Sequence, residues 1–469
     1  MNQEIASYGQ PAASAARRAP GPRQWPLLGN LHGIRAQGLL QYLAQQWRAH
    51  GDVYRVKLGS WNAVVLAHPE ALKHVLAARR DNYVKAETYD GVRRIIGNGL
   101  LALEGEAWKK RRALVQPAFH KAGLSKLAES MVDSGATFFD GLSRRAASRP
   151  MLVDVHREMV TLTLDVVVRA LFGPELTGVA QVSYEALGSA MELVSEHSNG
   201  LVLPPWVPTP RNRRFHRTMR EVEGAVYRVI QAGKSRPGDD GTLLSMLLAS
   251  RDADTGEPLS DQALRDEVFT MFVAGHETTA LTLTWLFSLL AGRRDLWEVA
   301  RREVDEVLGT RAPSFQDVPK LTFLRQLIDE TLRLSGPVAM VARTAVEADV
   351  VTGFQVNPGD VVLPFFWATH RHRDFWREPE RFDPQRFSAD ESRGRDPWSY
   401  VPFSAGQRMC IGNTFSLIES VLLLAMLLQR FEVRVPEGQQ VEPRLMATVR
   451  PSKPVMVELT PRSGHESQS

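Results

Sequence analysis

The chain has 469 residues, 43% hydrophobic and 23% charged, a balance that belongs to folded globular proteins and excludes a disordered one. Its 57 Lys and Arg stand against 53 Asp and Glu; that near-neutral balance, with no basic stripe interleaved with aromatics, excludes a nucleic-acid binder. The single cysteine excludes an internal disulfide and any zinc site built from several thiols.

Met1 to Ala19 is rich in Ala, Ser, Gln and Arg and lacks the apolar core of a signal peptide; it reads as a flexible leader. Pro20 to Asn30 is stiff and turn-rich. Two strands are predicted at Val53 to Leu58 and Ala63 to Leu66, with Trp61-Asn62 near the turn between them. From Pro69 onward the text is mostly amphipathic helix, broken at Lys234 to Gly241 and Asp252 to Pro258. A second strand-rich patch, Val350 to Leu363, turns at Asn357-Pro358-Gly359-Asp360. No repeat and no long linker is present, so residues 20–460 are expected to form one mainly helical domain with a minor β region, and 461–469 a flexible tail. The longest aliphatic stretch, Val421 to Leu428, is far short of the roughly 20 apolar residues of a membrane span. With no cysteine pairs, a reducing compartment and a cytoplasmic location are expected.

The longest predicted helix starts at an N-cap, Ser260, and keeps apolar positions to about Leu290. At 1.5 Å per residue that is roughly 45 Å, enough to cross the whole protein. In its middle stands Ala274-Gly275-His276-Glu277-Thr278-Thr279, small and polar residues in an apolar helix. Gly there costs about 1 kcal/mol relative to Ala, so the space or groups it exposes are used. A metalloprotease reading of His276-Glu277 fails because the fifth position is Ala280. A plainer reading has Thr278 and Thr279 bonding back to carbonyls one turn earlier. Neither a phosphate loop nor a dinucleotide fingerprint occurs, so the chain carries no hydride supply of its own.

Glu330 and Arg333 are three apart on a predicted helix and share a face. Pro379-Glu380-Arg381-Phe382 supplies another arginine in a proline-bounded loop, and a glutamate held between Arg333 and Arg381 would lock helix to loop. Cys410 lies in Phe403-Ser404-Ala405-Gly406-Gln407-Arg408-Met409-Cys410-Ile411-Gly412. A helix follows, with Phe415, Ile418, Leu422, Ala425 and Met426 as its apolar stripe, so the cysteine stands where helix amides favour a thiolate. Gly406 allows a sharp turn, Gly412 allows a large flat group to approach, and Arg408 is placed to meet an anionic group on its rim. A lone cysteine is most often an inert core residue; the whole ten-residue pattern makes that reading remote and leaves a nucleophile or a thiolate ligand.

That ten-residue run resembles the haem-binding loop of the cytochrome P-450 superfamily, Phe-x-x-Gly-x-Arg-x-Cys-x-Gly, at every fixed position. Glu330 and Arg333 resemble its Glu-x-x-Arg pair, Pro379 to Phe382 its arginine-bearing loop, Ala274 to Thr279 its oxygen-activation segment, and Trp108 to Arg112 its haem-propionate helix. The motifs fall in order over about Pro20 to Leu459. The resemblance implies the P-450 fold, with haem b (iron protoporphyrin IX) sandwiched between the long central helix and the Cys-ligand loop. It implies that Cys410 is the thiolate ligand of the iron, and that Arg408, Arg112, Trp108 and Arg343 grip the propionates. Phe403 and Gly412 would flank the haem, Gly275 would leave room for oxygen, and Glu277 and Thr278 would organise water and deliver protons. His276 is expected to pack elsewhere, and Glu330, Arg333 and Arg381 to be structural.

The implied activity is a soluble, bacterial-type monooxygenase, acting as a monomer and inserting one oxygen atom of O2 into a C–H or C=C bond. Electrons would come from a ferredoxin or flavodoxin with its NAD(P)H reductase, docking on the basic run Lys109 to Arg112 and on Arg408. Pocket segments at Tyr83 to Leu101, Leu193 to Val207 and Val338 to Val341 are apolar, which points to a fatty acid, terpenoid, steroid or polyketide. A haem-thiolate catalyst of rearrangement or coupling is the alternative, opposed by the intact Glu277-Thr278 pair. A non-catalytic haem sensor is opposed by the complete set of distal residues.

Overall fold

The computed structural model describes residues 16–462, apart from 174–206, 236–240 and positions 27, 60, 88, 148, 253, 437 and 440. They group into two compact units. The first comprises Met1–Glu87, Val338–Pro379 and Arg395–Met409; the second comprises Thr88–Pro337, Glu380–Gly394 and Cys410–Ser469.

The first unit is built on a five-stranded sheet in the order Val53–Leu58, Trp61–Leu66, Val361–Pro364, Arg343–Ala345, Tyr83–Lys85. Only the Trp61–Leu66 and Val361–Pro364 pair is parallel. Val64, Leu66, Leu72, Val75, Val362 and Phe366 form its buried core. β-Branched side chains on both faces fit a sheet covered on both sides. Trp61 and Asn62, expected near the turn, are strand residues paired with Leu58 and Lys57. Gly59, at φ +64°, reverses the chain, so the turn is tighter than the sequence implied.

The later strand patch holds a further hairpin, Asp349–Val351 with Phe354–Val356, before the predicted turn at Asn357 to Asp360. Asp360 Oδ2 fixes that turn by accepting from the Asn357 amide at 2.8 Å and from Arg55 at 2.9 Å. Arg17 to Ala19, expected as the end of the leader, belong to this unit's packing. Arg17 bridges to Phe354 through the backbone and stacks its guanidinium over that ring, and Ala19 is buried.

The second unit is mainly helical. Its long helix, Asp261–Leu289, starts where expected: the Ser260 side chain accepts from the Ala263 amide. Leu264, Val268, Phe269, Phe272, Leu281, Leu283 and Leu286 are buried all round it, the pattern of a core helix rather than a surface one. The helix Val155–Phe172 lies against it. The helix that follows Cys410, Asn413–Arg430, is buried from Ile418 through Gln429. A three-stranded sheet, Met151–Asp154, Met456–Pro461 and Phe431–Arg434, closes one side. No helix among the described residues is long and apolar enough to cross a membrane.

Candidate active site

Cys410 stands two residues before Gly412, the N-cap of the helix Asn413–Arg430. Burial pushes the Cys410 thiol up; the Gly412 amide, which donates to the sulfur, and the half-buried Arg112 guanidinium act the other way without cancelling it. Cys410 lies deep among protein atoms and still keeps an exposed surface. Gly412 has φ −88°, a conformation any residue adopts, and a Cβ there would meet nothing closer than Phe119 Cε1 at 3.9 Å. Its smallness, not its backbone, is what the position uses. Trp108 is buried one turn before Arg112 on the helix Gly105–Val115, so the two share a face.

Arg343, Arg408 and Phe403 belong to the first unit. Arg343 is 6% exposed at the start of its strand, and its Nη1 donates to the Ala342 carbonyl at 2.9 Å. Arg408 ends a 3₁₀ turn that begins at Gly406, and Phe403 is half-buried just before it. Gly406 sits at φ +70° and a Cβ would lie 2.2 Å from the Leu76 carbonyl oxygen, so only glycine fits.

On the long helix, Ala274 is exposed and Thr278, one turn on, is half-buried, whereas His276, Glu277, Thr279 and Ala280 are buried. One face of a core helix is thus left open at Ala274 and Thr278. Both threonines bond back: Thr278 Oγ1 donates to the Ala274 carbonyl at 2.8 Å and Thr279 Oγ1 to the Gly275 carbonyl at 3.3 Å. Gly275 departs from expectation. A Cβ there would lie 3.0 Å from Val167 Cγ2, so this glycine serves close packing against Val155–Phe172, and the small residue on the open face is Ala274. His276 packs as expected; its Nδ1 lies 2.7 Å from the Phe272 carbonyl, and burial lowers its pKa.

Glu277 is 6% exposed, and its Oε1 accepts from Thr448 Oγ1 at 2.7 Å and from Arg450 Nε at 2.7 Å. The strand Val449–Pro451 is anchored there because Trp285 Nε1 donates to the Val449 carbonyl at 3.0 Å and the Val449 amide donates to the Pro337 carbonyl at 2.8 Å. His156 lies beside this pair, its pKa lowered by burial and by Arg450. Thr448 and Arg450 are functional neighbours that no local spacing announces.

Glu330 and Arg333 form a fully buried bidentate pair at 2.6 and 2.8 Å. The expected role of Arg381 is corrected: its carbonyl accepts from Arg333 Nη2 at 3.1 Å, and the second guanidinium at Glu330 belongs to Arg386, with Nε 3.4 Å from Oε1. The Asp383 amide completes the set at 2.8 Å. Two Pro-x-Arg-Phe runs follow one another, Pro379 to Phe382 and Pro384 to Phe387; the 3₁₀ turn Pro384–Phe387 aims the second one inward. That repetition was the available signal.

The basic run Lys109 to Arg112 is largely occupied. Lys109 pairs with Glu106 and Lys110 with Asp254, both exposed, and Arg111 pairs with the fully buried Glu267 at 2.7 Å. Of the expected pocket segments, residues 193–206 lie outside the described residues. Leu101 and Val338 each present exposed apolar surface within their own units.

The second unit thus brings together a lone, deep yet accessible cysteine, an arginine acting on its sulfur and a core helix with an open face at Ala274 and Thr278. The sequence profile described as Cytochrome P450 matches residues 19–459. Cyclooctatin synthase of Streptomyces melanosporofaciens is 34% identical over 446 residues, covering 93% of this chain and 94% of the relative. Pentalenene oxygenase of Streptomyces avermitilis is 31% identical over 428 residues, covering 88% and 91%. The crystal structure of the cytochrome P450DA heme domain superposes with a TM-score of 0.87 at 25% identity, covering 96% of this chain and 99% of that one. This chain belongs to the cytochrome P450 family, and haem is its cofactor. It is a P450 monooxygenase. The residues present fit that group: the accessible Cys410, the unfilled space at Gly412 and the cationic Arg112 would supply a sulfur ligand, a flat approach and a carboxylate partner.

Proposed function

We propose that this chain inserts one oxygen atom of O2 into a C–H or C=C bond of an apolar, ring-bearing terpenoid, with Cys410 as the thiolate ligand. Electrons come from a ferredoxin or flavodoxin with its NAD(P)H reductase. The observation that carries the reading is the pairing, in one unit, of Cys410 at a helix start with the open Ala274–Thr278 face backed by Glu277. The names of the relatives support the substrate class: pentalenene oxygenase and cyclooctat-9-en-7-ol 5-monooxygenase act on cyclic terpenoids.

When bound, thiolate-ligated haem supplies O–O cleavage. The chain's own residues do the rest. The Gly412 amide and Arg112 partly offset the burial that pushes the Cys410 thiol up. Within the second unit, Arg112 and Trp108 bind the haem's carboxylates and orient it. Gly412 borders the flat group. Thr278 holds a proton on the Ala274 carbonyl; moving it to the open face costs one hydrogen bond, about 0.5–1.5 kcal/mol, which a helical threonine's two rotamers allow. Glu277, fixed by Arg450 and Thr448, stands next to it as the carboxylate through which protons are relayed. Lys109 and Lys110 are the carrier-docking residues, because exposed ion pairs exchange partners cheaply, whereas Arg111 is committed to Glu267.

Thr278→Ala is expected to keep electron consumption and lose product per electron by about 10²-fold, the low end of what a positioned acid contributes. Unchanged coupling would remove Thr278 from proton delivery. The substrate class is tested by adding cyclic terpene hydrocarbons and alcohols, fatty acids, steroids and polyketides to the ferric protein. Cyclic terpenoids should displace the distal water, shift the spin state and return products with one added oxygen. A response confined to straight-chain acids would sink the terpenoid reading.

A further inference from the structure

The helix Pro210–Lys234 breaks a pattern that other helices of this chain keep. Elsewhere, exposed basic side chains stand one turn from an acid and pair with it: Arg93 with Asp90, Lys109 with Glu106, Arg294 with Glu298, Arg325 with Asp329. Such pairs support a helix, and like charges at the same spacing weaken it. In the first half of Pro210–Lys234, Arg213, Arg214, Arg217 and Arg220 are exposed, and among the described residues none of the four has an ion-pair partner. Arg217 is one turn from each of the other three, so every neighbour it has at that spacing among them is a like charge. No acid stands in the first turn, where the positive end of the helix dipole adds to the repulsion. Of the helix's two glutamates, Glu223 is bound to Arg265 of the long helix, and Glu221 is exposed and joined to none of the four.

The helix is held in place by its other face. Thr218, Met219, Val226, Val229 and Ile230 are buried, and Tyr227 and Gln231 donate to Gln262 and Asp261 of the long helix. The arginines therefore add nothing to its packing and make it less stable than neutral side chains would. Arg213, Arg217 and Arg220 fall at i, i+4 and i+7, a line of about 10 Å along the exposed face. The cations of this half are arginines and none is a lysine, and a guanidinium fork meets a carboxylate or a phosphate with two bonds. A bilayer surface would need apolar side chains to bury beside the charges, and residues 207–234 expose no large apolar side chain among those described. Carboxylates on a protein need none. Lys234, at the far end, pairs with Asp261 and lies about 25 Å along the helix from Arg217.

We propose that the line Arg213, Arg217 and Arg220, flanked by Arg214, is a docking surface for an acidic protein whose carboxylates lie along one helix face. The surface is distinct from the Lys109 and Lys110 pair assigned to the electron carrier, and it stands independently of the oxygenase reading.

The test uses the full-length haem-loaded protein and labelled poly-L-glutamate as the probe. Two triple variants remove the same charge: Arg213→Gln with Arg217→Gln and Arg220→Gln, and, as the control, Arg93→Gln with Arg294→Gln and Arg325→Gln. Followed by fluorescence anisotropy at low salt, the first should bind about 10-fold more weakly than wild type, the loss of three exposed ion pairs together. The control should stay within about twofold, because each of its arginines already has an acid of its own. Raising the salt to about 0.15 M should weaken the wild type and leave the first variant nearly flat. The first variant should also unfold at or above the wild-type temperature, since like charges have been removed. Wild-type affinity in the first variant, an equal loss in the control, or a lower unfolding temperature in the first variant would each overturn the proposal. Phosphatidylglycerol vesicles and a DNA duplex test the rival occupants. Binding of either at about 0.15 M salt that the first variant abolishes would give the face to phosphates and overturn the protein partner.

Discussion

Glu330→Ala is expected to destabilise the second unit by about 3–5 kcal/mol, the cost of leaving one member of a buried pair uncompensated. Arg333 and Glu330 have side chains with no exposed surface, joined by two parallel N–H···O bonds at 2.6 and 2.8 Å. Removing the carboxylate takes two acceptors from the buried Arg333 guanidinium, leaves the Asp383 amide without its 2.8 Å acceptor and removes the ion-pair partner of Arg386. A domain's whole stability is only about 5–15 kcal/mol, so this single change removes a large share of it. Urea unfolding of the purified variant measures the loss; a change under about 1 kcal/mol would show that the lock is not structural. The two arginines of the loop separate in the same assay. Arg386→Ala should cost about 1–3 kcal/mol because its guanidinium faces a buried carboxylate. Arg381→Ala keeps the contact with Arg333, which the Arg381 backbone carbonyl makes.

The second large effect is on chemistry rather than stability. Cys410→Ser should fold, because serine fits the volume and the Gly412 amide finds an oxygen in place of sulfur. Product formation should fall below detection. A serine hydroxyl gives up its proton far less readily than a thiol, so the variant does not offer the iron an anionic ligand. The comparison requires equal haem loading in wild type and variant. Product formation by the serine variant at a tenth or more of the wild-type rate would contradict the thiolate's role.

What local sequence revealed and what it hid follow from the range of the interactions. The Ser260 cap and the long helix were legible because capping and helical periodicity act within four residues. The Glu330–Arg333 pair was legible for the same reason, being one helical turn apart. Gly406 announced its turn through a backbone only glycine adopts. Arg450 and Glu277, by contrast, are 173 residues apart and meet because Trp285 anchors a distant strand. Arg386 was hidden by the adjacent Pro-x-Arg-Phe run, which differs from it only in how a 3₁₀ turn aims the side chain. Gly275 looked like space and is contact, because a helix pattern does not state which neighbour covers which face.

The claim on which the rest depends is that Cys410 binds haem iron as a thiolate. The measurement that tests it most directly is the optical spectrum of the reduced, carbon-monoxide-bound protein, recorded for wild type and for Cys410→Ser. The wild type should show a Soret band strongly red-shifted from that of a histidine-ligated haem, and the serine variant should lose the shift. A native, haem-loaded wild type without that red-shifted band would contradict the account.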